Sequence, residues 1–221
     1  MNFLNAALAP HWAATAWLLL AALTLAAVRQ PPRDAPLRSA QQHLWLAGIV
    51  AIAWLWTLQA RLASSAEFGL LGAALYALIF GRYWARLGLL AALALCTGLG
   101  VGSWSNFGLN GLLLVMLPTL LTAALQGQIE SRLPRNLFVF IIGNGLFVSL
   151  AVTAATSTTL VFAGRLLQPV SPNIDQFAFA LLLAWGEALA SGMLFSALVI
   201  FVPQLVRTYR QDLYLPPWRG I

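Results

Sequence analysis

The chain has 221 residues, of which 61% are hydrophobic and 8% are charged, and its mean hydropathy is +0.83. Twelve basic and six acidic side chains are too few to cover the surface of a soluble domain of this length. The high apolar content therefore excludes a soluble enzyme and a disordered chain. A nucleic-acid-binding module is excluded as well, because the net charge of +6 is spread among apolar segments and forms no basic patch. We expect residues 1–221 to form a single integral membrane domain.

Apolar runs bounded by charged or helix-breaking residues predict an all-α bundle of about seven transmembrane helices. None of these runs alternates in the way that the lipid-facing strand of a barrel does. The predicted spans cover residues 12–28, 43–59, 68–81, 86–102, 110–126, 137–163 and 175–205. The third and fourth predicted spans are separated only by the short segment GRYWAR.

Arginine sets the predicted orientation, because the chain contains no lysine. Seven successive spans place ten of the twelve arginines on one side of the membrane, at positions 29, 33, 38, 82, 86, 132, 135, 207, 210 and 219. Only Arg61 and Arg165 fall on the other side. By the positive-inside rule we expect the N-terminus outside and the C-terminus in the cytoplasm.

Glu187 is the most unusual polar residue in the predicted spans, since it lies within the apolar stretch LLLAWGEALASGML. A charged side chain at the bilayer centre costs about 2.5–3.5 kcal/mol, so this carboxyl group must be protonated, paired or exposed to a wet cavity. Ser191 follows one turn later on the same helix face. Two interpretations stay open: a ligand, proton or gating site, and a neutral carboxylic acid that joins two helices.

Other polar residues inside the predicted spans also carry two interpretations. Asn110 begins the fifth span, where its amide either faces a substrate or caps the helix, and Pro118 is expected to kink that helix. Asn144, between two glycines, is ambiguous. Two polar stripes follow helical spacing, one of Thr119, Thr122 and Gln126 and one of Ser149, Thr153, Thr156 and Ser157. Such stripes are typical of interhelical hydrogen bonding.

The sequence does not predict an enzyme or a permanently bound cofactor. His11 and His43 lie at opposite ends of their spans, and the chain has neither an HExxH motif nor a Walker A sequence. The single cysteine, Cys96, lies in an apolar run and is expected to be a buried core residue. Any ATP-driven work must therefore come from a partner.

Four segments resemble the CbiM/NikM family of energy-coupling-factor permeases, the membrane subunits that import cobalt or nickel. These segments are MNFLNAALAPHWAATAWLL, GLLGAALYALIFGRYWA, FGLNGLLLVMLP and WGEALASGMLFSALV. The resemblance extends along most of the chain and implies a multi-pass permease of the bacterial inner membrane. Its implied partners are the lipid bilayer, a transmembrane coupling subunit and cytoplasmic ATPase subunits, with a transition-metal ion as the transported substrate.

The family's metal ligands are replaced in this chain. In the family, a histidine directly after Met1 and a second one before the third span ligate the metal together with the N-terminal amine. Here Asn2 and Gly69 occupy those two positions, and an amide is a far poorer donor than imidazole for cobalt or nickel. His11 and Glu67, both predicted to lie outside, are candidate substitutes, and the metal ligands stay unassigned. The candidate substrate-binding residues are Glu187, Asn110, Asn2, Glu67 and His11.

A second function class stays open beside the permease. A membrane scaffold or assembly factor that keeps the fold without transporting metal would use its polar stripes as interhelical contacts and its loops to bind partners. The small-xxx-small pair of Ala22 and Ala26 on the first span offers a docking face for another membrane subunit under either interpretation.

Overall fold

The computed structural model describes residues 8–29, 31, 36–58, 60–61, 67–68, 70–134, 136–167, 174–210 and 214. Its helices are α1 (Pro10–Arg29), α2 (Ser39–Thr57), α3 (Ala73–Gly98), α4 (Phe107–Asn110), α5 (Leu117–Arg132), α6 (Leu137–Ile142), α7 (Ser149–Leu167) and α8 (Ile174–Phe201). Two short strands, β1 (Ala60–Arg61) and β2 (Glu67–Phe68), pair antiparallel between α2 and α3. The protein is otherwise all-α in its described residues, as the apolar runs predict.

Five described segments are long and apolar enough to cross a membrane. They are Pro10–Arg29, Ala73–Gly98, Trp104–Arg132, Leu137–Leu167 and Gln176–Phe201. The third of these joins α4 to α5 and the fourth joins α6 to α7, in each case through a π-helical turn. These segments confirm the prediction of an all-α, multi-pass membrane protein.

The π-helical turn Gly111–Met116 accommodates Pro118 without breaking the helix. In a regular α-helix the proline ring would clash with the carbonyl of the preceding turn, and a widened turn relieves that clash. The hydroxyl of Thr119 donates to the carbonyl of Val115 at 2.8 Å and so satisfies one acceptor beside the proline. The kink expected at Pro118 is therefore a local widening of a continuous helix.

The first part of α3 runs along α2 from the Thr57 end towards the Ser39 end. The indole N–H of Trp56 donates to the carbonyl of Leu71 at 2.8 Å. Further along α3, the hydroxyl of Tyr76 donates to the carbonyl of Trp45 at 2.8 Å. The chain advances five residues from Leu71 to Tyr76 while its contacts on α2 move back eleven residues, from Trp56 to Trp45, so the two segments are antiparallel.

The second part of α3 runs in the opposite direction. The indole N–H of Trp45 donates to the carbonyl of Trp84 at 2.9 Å, and the thiol of Cys96 donates to the carbonyl of Ala53 at 3.3 Å. The reversal occurs at Gly81, whose φ of 75° and ψ of 167° lie in a region that is essentially restricted to glycine. Residues 73–80 and 82–98 therefore form a helical hairpin against α2.

The segment that follows α8 completes the hydrogen bonding at this reversal. A helix that stops at Gly81 leaves its last carbonyls without partners within the helix. The backbone N–H of Arg207 donates to the carbonyl of Ile79 at 2.8 Å, and the hydroxyl of Thr208 donates to the carbonyl of Leu78. The hairpin is therefore held in place by residues from the far end of the chain.

Several ends of the approximate predicted spans differ from the structure by four to six residues, and three of these differences have a local reason. The predicted spans concerned are 68–81, 86–102 and 175–205. The helix begins only after Gly72, which has a left-handed φ of 66°, and it stops before Gly100, which has a φ of 82°. The last helix ends at Phe201, because Pro203 disfavours a helical conformation at the residue before it.

Helix α1 packs at the edge of the bundle against residues 107–116, called the α4 segment, which comprise α4 and the π-helical turn after it. Two glycines of this segment make the contact. A β-carbon on Gly108 would lie 2.5 Å from the backbone nitrogen of Trp17, and one on Gly111 would lie 2.5 Å from the side chain of Leu20. Leu20 is the one buried residue of α1. Most of the other residues of α1 are exposed on the surface of the bundle.

Candidate functional site

The Glu187 carboxylate is buried inside the bundle, with 3% of the residue exposed. Its Oε2 accepts the backbone N–H of Leu71 at 2.7 Å, and its Oε1 accepts the backbone N–H of Gly72 at 2.8 Å. The hydroxyl of Thr153 on α7 donates to Oε1 at 3.3 Å. Both carboxyl oxygens are therefore engaged, and Glu187 joins α8 to α7 and to the start of α3.

The position of Glu187 explains why α3 begins where it does. The first N–H groups of a helix have no partner within the helix, and a carboxylate is favourable beside them. Glu187 supplies that carboxylate at Leu71 and Gly72, directly ahead of Ala73. This geometry resembles a group that joins two helices more closely than it resembles a ligand, proton or gating site. Glu187 differs from that expectation in one respect, since it holds loop backbone as well as a neighbouring helix.

The sequence pattern does not identify Leu71 and Gly72 as functional positions. They contribute main-chain N–H groups, which every non-proline residue carries, so their side chains give no signal. The one available signal is the glycine at the end of GLLG, directly before an apolar run. Glycine is favoured there because of the positive φ at Gly72.

Asn110 is buried, with 1% of the residue exposed, and lies inside a continuous helical segment. Its φ of −61° and ψ of −39° are helical, and the segment begins at Trp104, so the helix-capping interpretation of Asn110 is wrong. The residue directly precedes the π-helical turn Gly111–Met116. Turns of this kind are frequent at functional sites.

His11 lies in the first turn of α1 and is exposed, with its ring centroid 5.5 Å from that of Trp12. Two turns along, the indole of Trp17 stacks on Phe107 at 4.8 Å and donates to the carbonyl of Trp104 at 3.0 Å. The start of α1 and the segment before Asn110 therefore lie at the same end of the bundle.

The other candidate ligands fall partly or wholly outside the described residues. The backbone of Glu67 lies in β2 opposite Arg61 of β1, and its side chain is outside the description. Asn2 and Gly69 also lie outside it. Within the described ranges, no group of three or more His, Cys, Asp and Glu residues is placed to hold a metal ion.

The polar stripes bond mostly within their own helices. The hydroxyl of Thr122 donates to the carbonyl of Pro118 at 2.8 Å, and that of Ser157 donates to the carbonyl of Thr153 at 2.6 Å. Such back-bonding satisfies a hydroxyl without joining helices. The expectation of interhelical bonds is therefore wrong for these two residues, whereas Thr153 does bond across helices, to Glu187.

Asn144 is the least satisfied polar side chain of the described core. It is fully buried in the π-helical turn Gly143–Val148, and neither its Oδ1 nor its Nδ2 has a hydrogen-bond partner among the described residues. The hydroxyls of Ser149 and Thr156 are likewise buried without a described partner.

A family model described as the cobalt uptake substrate-specific transmembrane region, CbiM, matches residues 2–205. The match includes every helix from α1 to α8. Comparison with curated proteins and with solved structures gives no significant match.

Proposed function

The chain belongs to the CbiM family of cobalt uptake transmembrane regions, and from this membership we propose that it is the substrate-binding permease component of an energy-coupling-factor-type importer. The family match over residues 2–205 is the observation that carries this proposal. The cargo is a transition-metal ion, cobalt or nickel. A transmembrane coupling subunit links the chain to cytoplasmic ATPase subunits, which supply the energy, and the complex lies in a bacterial inner membrane.

The proposed topology has seven crossings, with the N-terminus outside and the C-terminus in the cytoplasm. Five described segments are long and apolar enough to span a membrane. The reversal at Gly81 divides one of them into two antiparallel parts, of which residues 73–80 are too short to cross as a helix alone, so this crossing requires the backbone from Leu70 to complete it. Helix α2 is proposed as a further crossing beside them. An odd number of crossings agrees with the one-sided distribution of arginine.

The proposed cargo site lies at the outer end of the bundle, opposite the arginines. The start of α1, the segment around Asn110 and the backbone held by Glu187 belong to this end. Glu187 acts there as a positioning residue, because its oxygens are engaged by the backbone that leads into α3. Asn110, Asn2, Glu67 and His11 are the candidate groups for contacting the ion.

The proposed docking face for the coupling subunit is the outward face of α1. Ala22 and Ala26 lie on it and are exposed. Small residues four positions apart allow the close backbone approach that drives helix association in membranes. The shallow packing of α1, which buries only Leu20 of its own residues, leaves this face open.

Uptake of radiolabelled cobalt and nickel tests the proposal in cells that co-express the chain with its coupling and ATPase subunits. We expect uptake above background for the wild-type chain, reduced uptake for Glu187→Gln and Asn2→Ala, and unchanged uptake for the control Ser131→Ala. Ser131 is an exposed polar residue that lies away from the proposed cargo site. No cobalt or nickel uptake above background would refute metal transport.

A second candidate function is a non-transporting scaffold or assembly factor built on the same fold. It is favoured by Asn2 and Gly69, which stand where the family carries metal-binding histidines. Co-purification separates the two candidates. A bound ATPase and coupling subunit support the importer, whereas a respiratory or metal-enzyme complex in their place supports the scaffold.

A further inference from the structure

A cavity of about 520 Å³ opens at the arginine-rich end of the bundle, away from the proposed cargo site. One wall is apolar and comes from α1, where Leu23 and Ala27 line it together with Ala26, which borders both the cavity and the proposed docking face. The opposite wall is formed by the turn of the α3 hairpin, by α5 and by the segment after α8. The cavity therefore combines an apolar side with a polar side.

The polar wall carries a strong positive charge. The arginines that line it are Arg82, Arg86, Arg207 and Arg210. Glu130 is the single acid among the described lining residues, and its Oε1 already accepts the Nε2–H of Gln126 at 3.0 Å. Arg210 has a further interaction of its own, so the field that attracts an anion comes mainly from Arg82, Arg86 and Arg207 against one engaged carboxylate.

Two N–H groups of lining residues are buried without a hydrogen-bond partner in the described part of the chain. They are Nη2 of Arg207 and Nε1 of Trp84. A buried donor without a partner is costly, and a charged one is more so, but both atoms are out of reach of solvent, so an acceptor in the cavity satisfies them only if the two side chains turn towards it.

Two of the four arginines are positioned by contacts of the fold, Arg207 through its backbone and Arg86 through its side chain. Arg207 is fixed through its backbone, whose N–H donates to the carbonyl of Ile79 at the hairpin turn. The Nε–H of Arg86 donates to the hydroxyl of Thr119 at 3.3 Å, which leaves its terminal nitrogens for a ligand. Arginine presents paired N–H groups that match the oxygens of a phosphate.

We propose that this cavity binds the phosphate group of an anionic phospholipid, such as phosphatidylglycerol or cardiolipin. The apolar α1 wall favours a lipid over a free anion, because it gives an acyl chain a surface that continues onto exposed Leu25 and Val28. Basic pockets between helices at the cytoplasmic side of a membrane suit anionic head groups. The site is separate from the cargo site and does not depend on which ion is carried.

Native mass spectrometry of the full chain, released from nanodiscs of mixed phosphatidylglycerol and phosphatidylcholine, tests the proposal. We expect wild type to retain phosphatidylglycerol, and Arg82→Gln/Arg207→Gln to lose about thirtyfold in its retention. Arg29→Gln is the matched control, because this exposed arginine lies at the same end of α1 and does not line the cavity. The control is expected to retain the lipid.

A charge-retaining variant, Arg82→Lys/Arg207→Lys, covers the case in which the glutamine variant fails to fold. It is expected to keep a preference for phosphatidylglycerol over phosphatidylcholine. Equal retention of the anionic lipid by wild type and by the folded glutamine variant overturns the proposal. If inorganic phosphate raises the unfolding midpoint of wild type as much as phosphatidylglycerol does, the ligand is a free anion, and the proposal of a lipid is overturned. The proposal is also overturned if wild type carries no lipid and the glutamine variant no longer binds the coupling subunit. That result identifies the cavity as a docking site for a protein.

Discussion

The carboxylate of Glu187 accepts the backbone N–H of Gly72 at 2.8 Å, across 115 positions of sequence. This bond joins the middle of the last helix to the residue that precedes the α3 hairpin. Because Gly72 has a positive φ, few other residues could take its place in this turn. The polar residue that looks most costly in the membrane is thus the one that fixes the path of the chain into α3.

Replacing Glu187 with glutamine should destabilise the fold. The side-chain amide keeps one acceptor oxygen but turns an NH₂ group towards a backbone donor, so the N–H of Leu71 or Gly72 loses its partner. We expect a loss of about 2 kcal/mol. Thermal unfolding in detergent measures this change, with Glu130→Gln as a control that stays near wild type. Equal midpoints for the two variants would contradict the anchoring role.

The turn of the α3 hairpin predicts a large difference between two glycine substitutions. Gly81→Ala places a β-carbon at φ 75° and ψ 167°, which we expect to cost about 1–3 kcal/mol. Gly127→Ala in α5 introduces its methyl into open space on an exposed helix face and should be neutral or stabilising. Yield of monodisperse protein and the unfolding midpoint report the difference. If Gly81→Ala gives the same yield and the same unfolding midpoint as wild type, position 81 does not require the backbone conformation that only glycine adopts easily.

The close packing of α1 on the α4 segment depends on Gly108. A methyl group there would lie 2.5 Å from the backbone nitrogen of Trp17 and 2.7 Å from the carbonyl carbon of Ala16, and main-chain atoms cannot move aside as a side chain can. Gly108→Ala should therefore cost about 1–3 kcal/mol and loosen α1.

Hydrogen exchange of α1 peptides measures this loosening. Faster exchange is expected in Gly108→Ala, and no change is expected in the control Gly186→Ala, which has open space at its β-position. Unchanged exchange in both variants shows that α1 is held by other contacts.

Thr208 offers a conservative test of the contact between the C-terminal segment and the hairpin. Thr208→Val keeps the shape of the side chain but removes the hydroxyl that donates to the carbonyl of Leu78. We expect a loss of about 1 kcal/mol in unfolding free energy, recovered in Thr208→Ser, which restores the donor. If the serine variant is no more stable than the valine variant, the hydrogen bond does not stabilise the hairpin.

The proposed orientation can be tested by labelling in intact cells. Cys96 is buried and is the one cysteine of the chain, so added cysteines can be read with little background. A membrane-impermeant maleimide should label Ser105→Cys in intact cells and Glu130→Cys only after permeabilisation. Both positions are exposed, at opposite ends of one long helical segment. Labelling of both in intact cells contradicts the proposed topology.

The class of the protein and most helix positions could be predicted because both depend on apolar runs. The predicted span 137–163 lies within Leu137–Leu167, for example, and 12–28 lies within Pro10–Arg29. The burial of Glu187 could be predicted in the same way, from its neighbours in the chain. Composition and local spacing carry this information directly.

The contacts of the site could not be predicted in that way. The partners of Glu187 are main-chain N–H groups, and the partner of the Ile79 carbonyl is the backbone of Arg207, far along the chain. No side-chain pattern encodes such bonds. The grouping of Arg82 with Arg207 around one cavity also depends on how the helices pack, which one sequence does not state.

The two π-helical turns, Gly111–Met116 and Gly143–Val148, have a consequence for chain length. Each wider turn holds about one more residue than an α-helical turn, and one residue corresponds to about 100° of rotation. Deleting a single residue from 111–116 would therefore restore the ordinary ladder and leave the side chains of α5 on their present faces, although it would bring back the clash at Pro118. Deleting one residue from the α-helical stretch 119–132 would instead rotate every later side chain of that helix by about 100°.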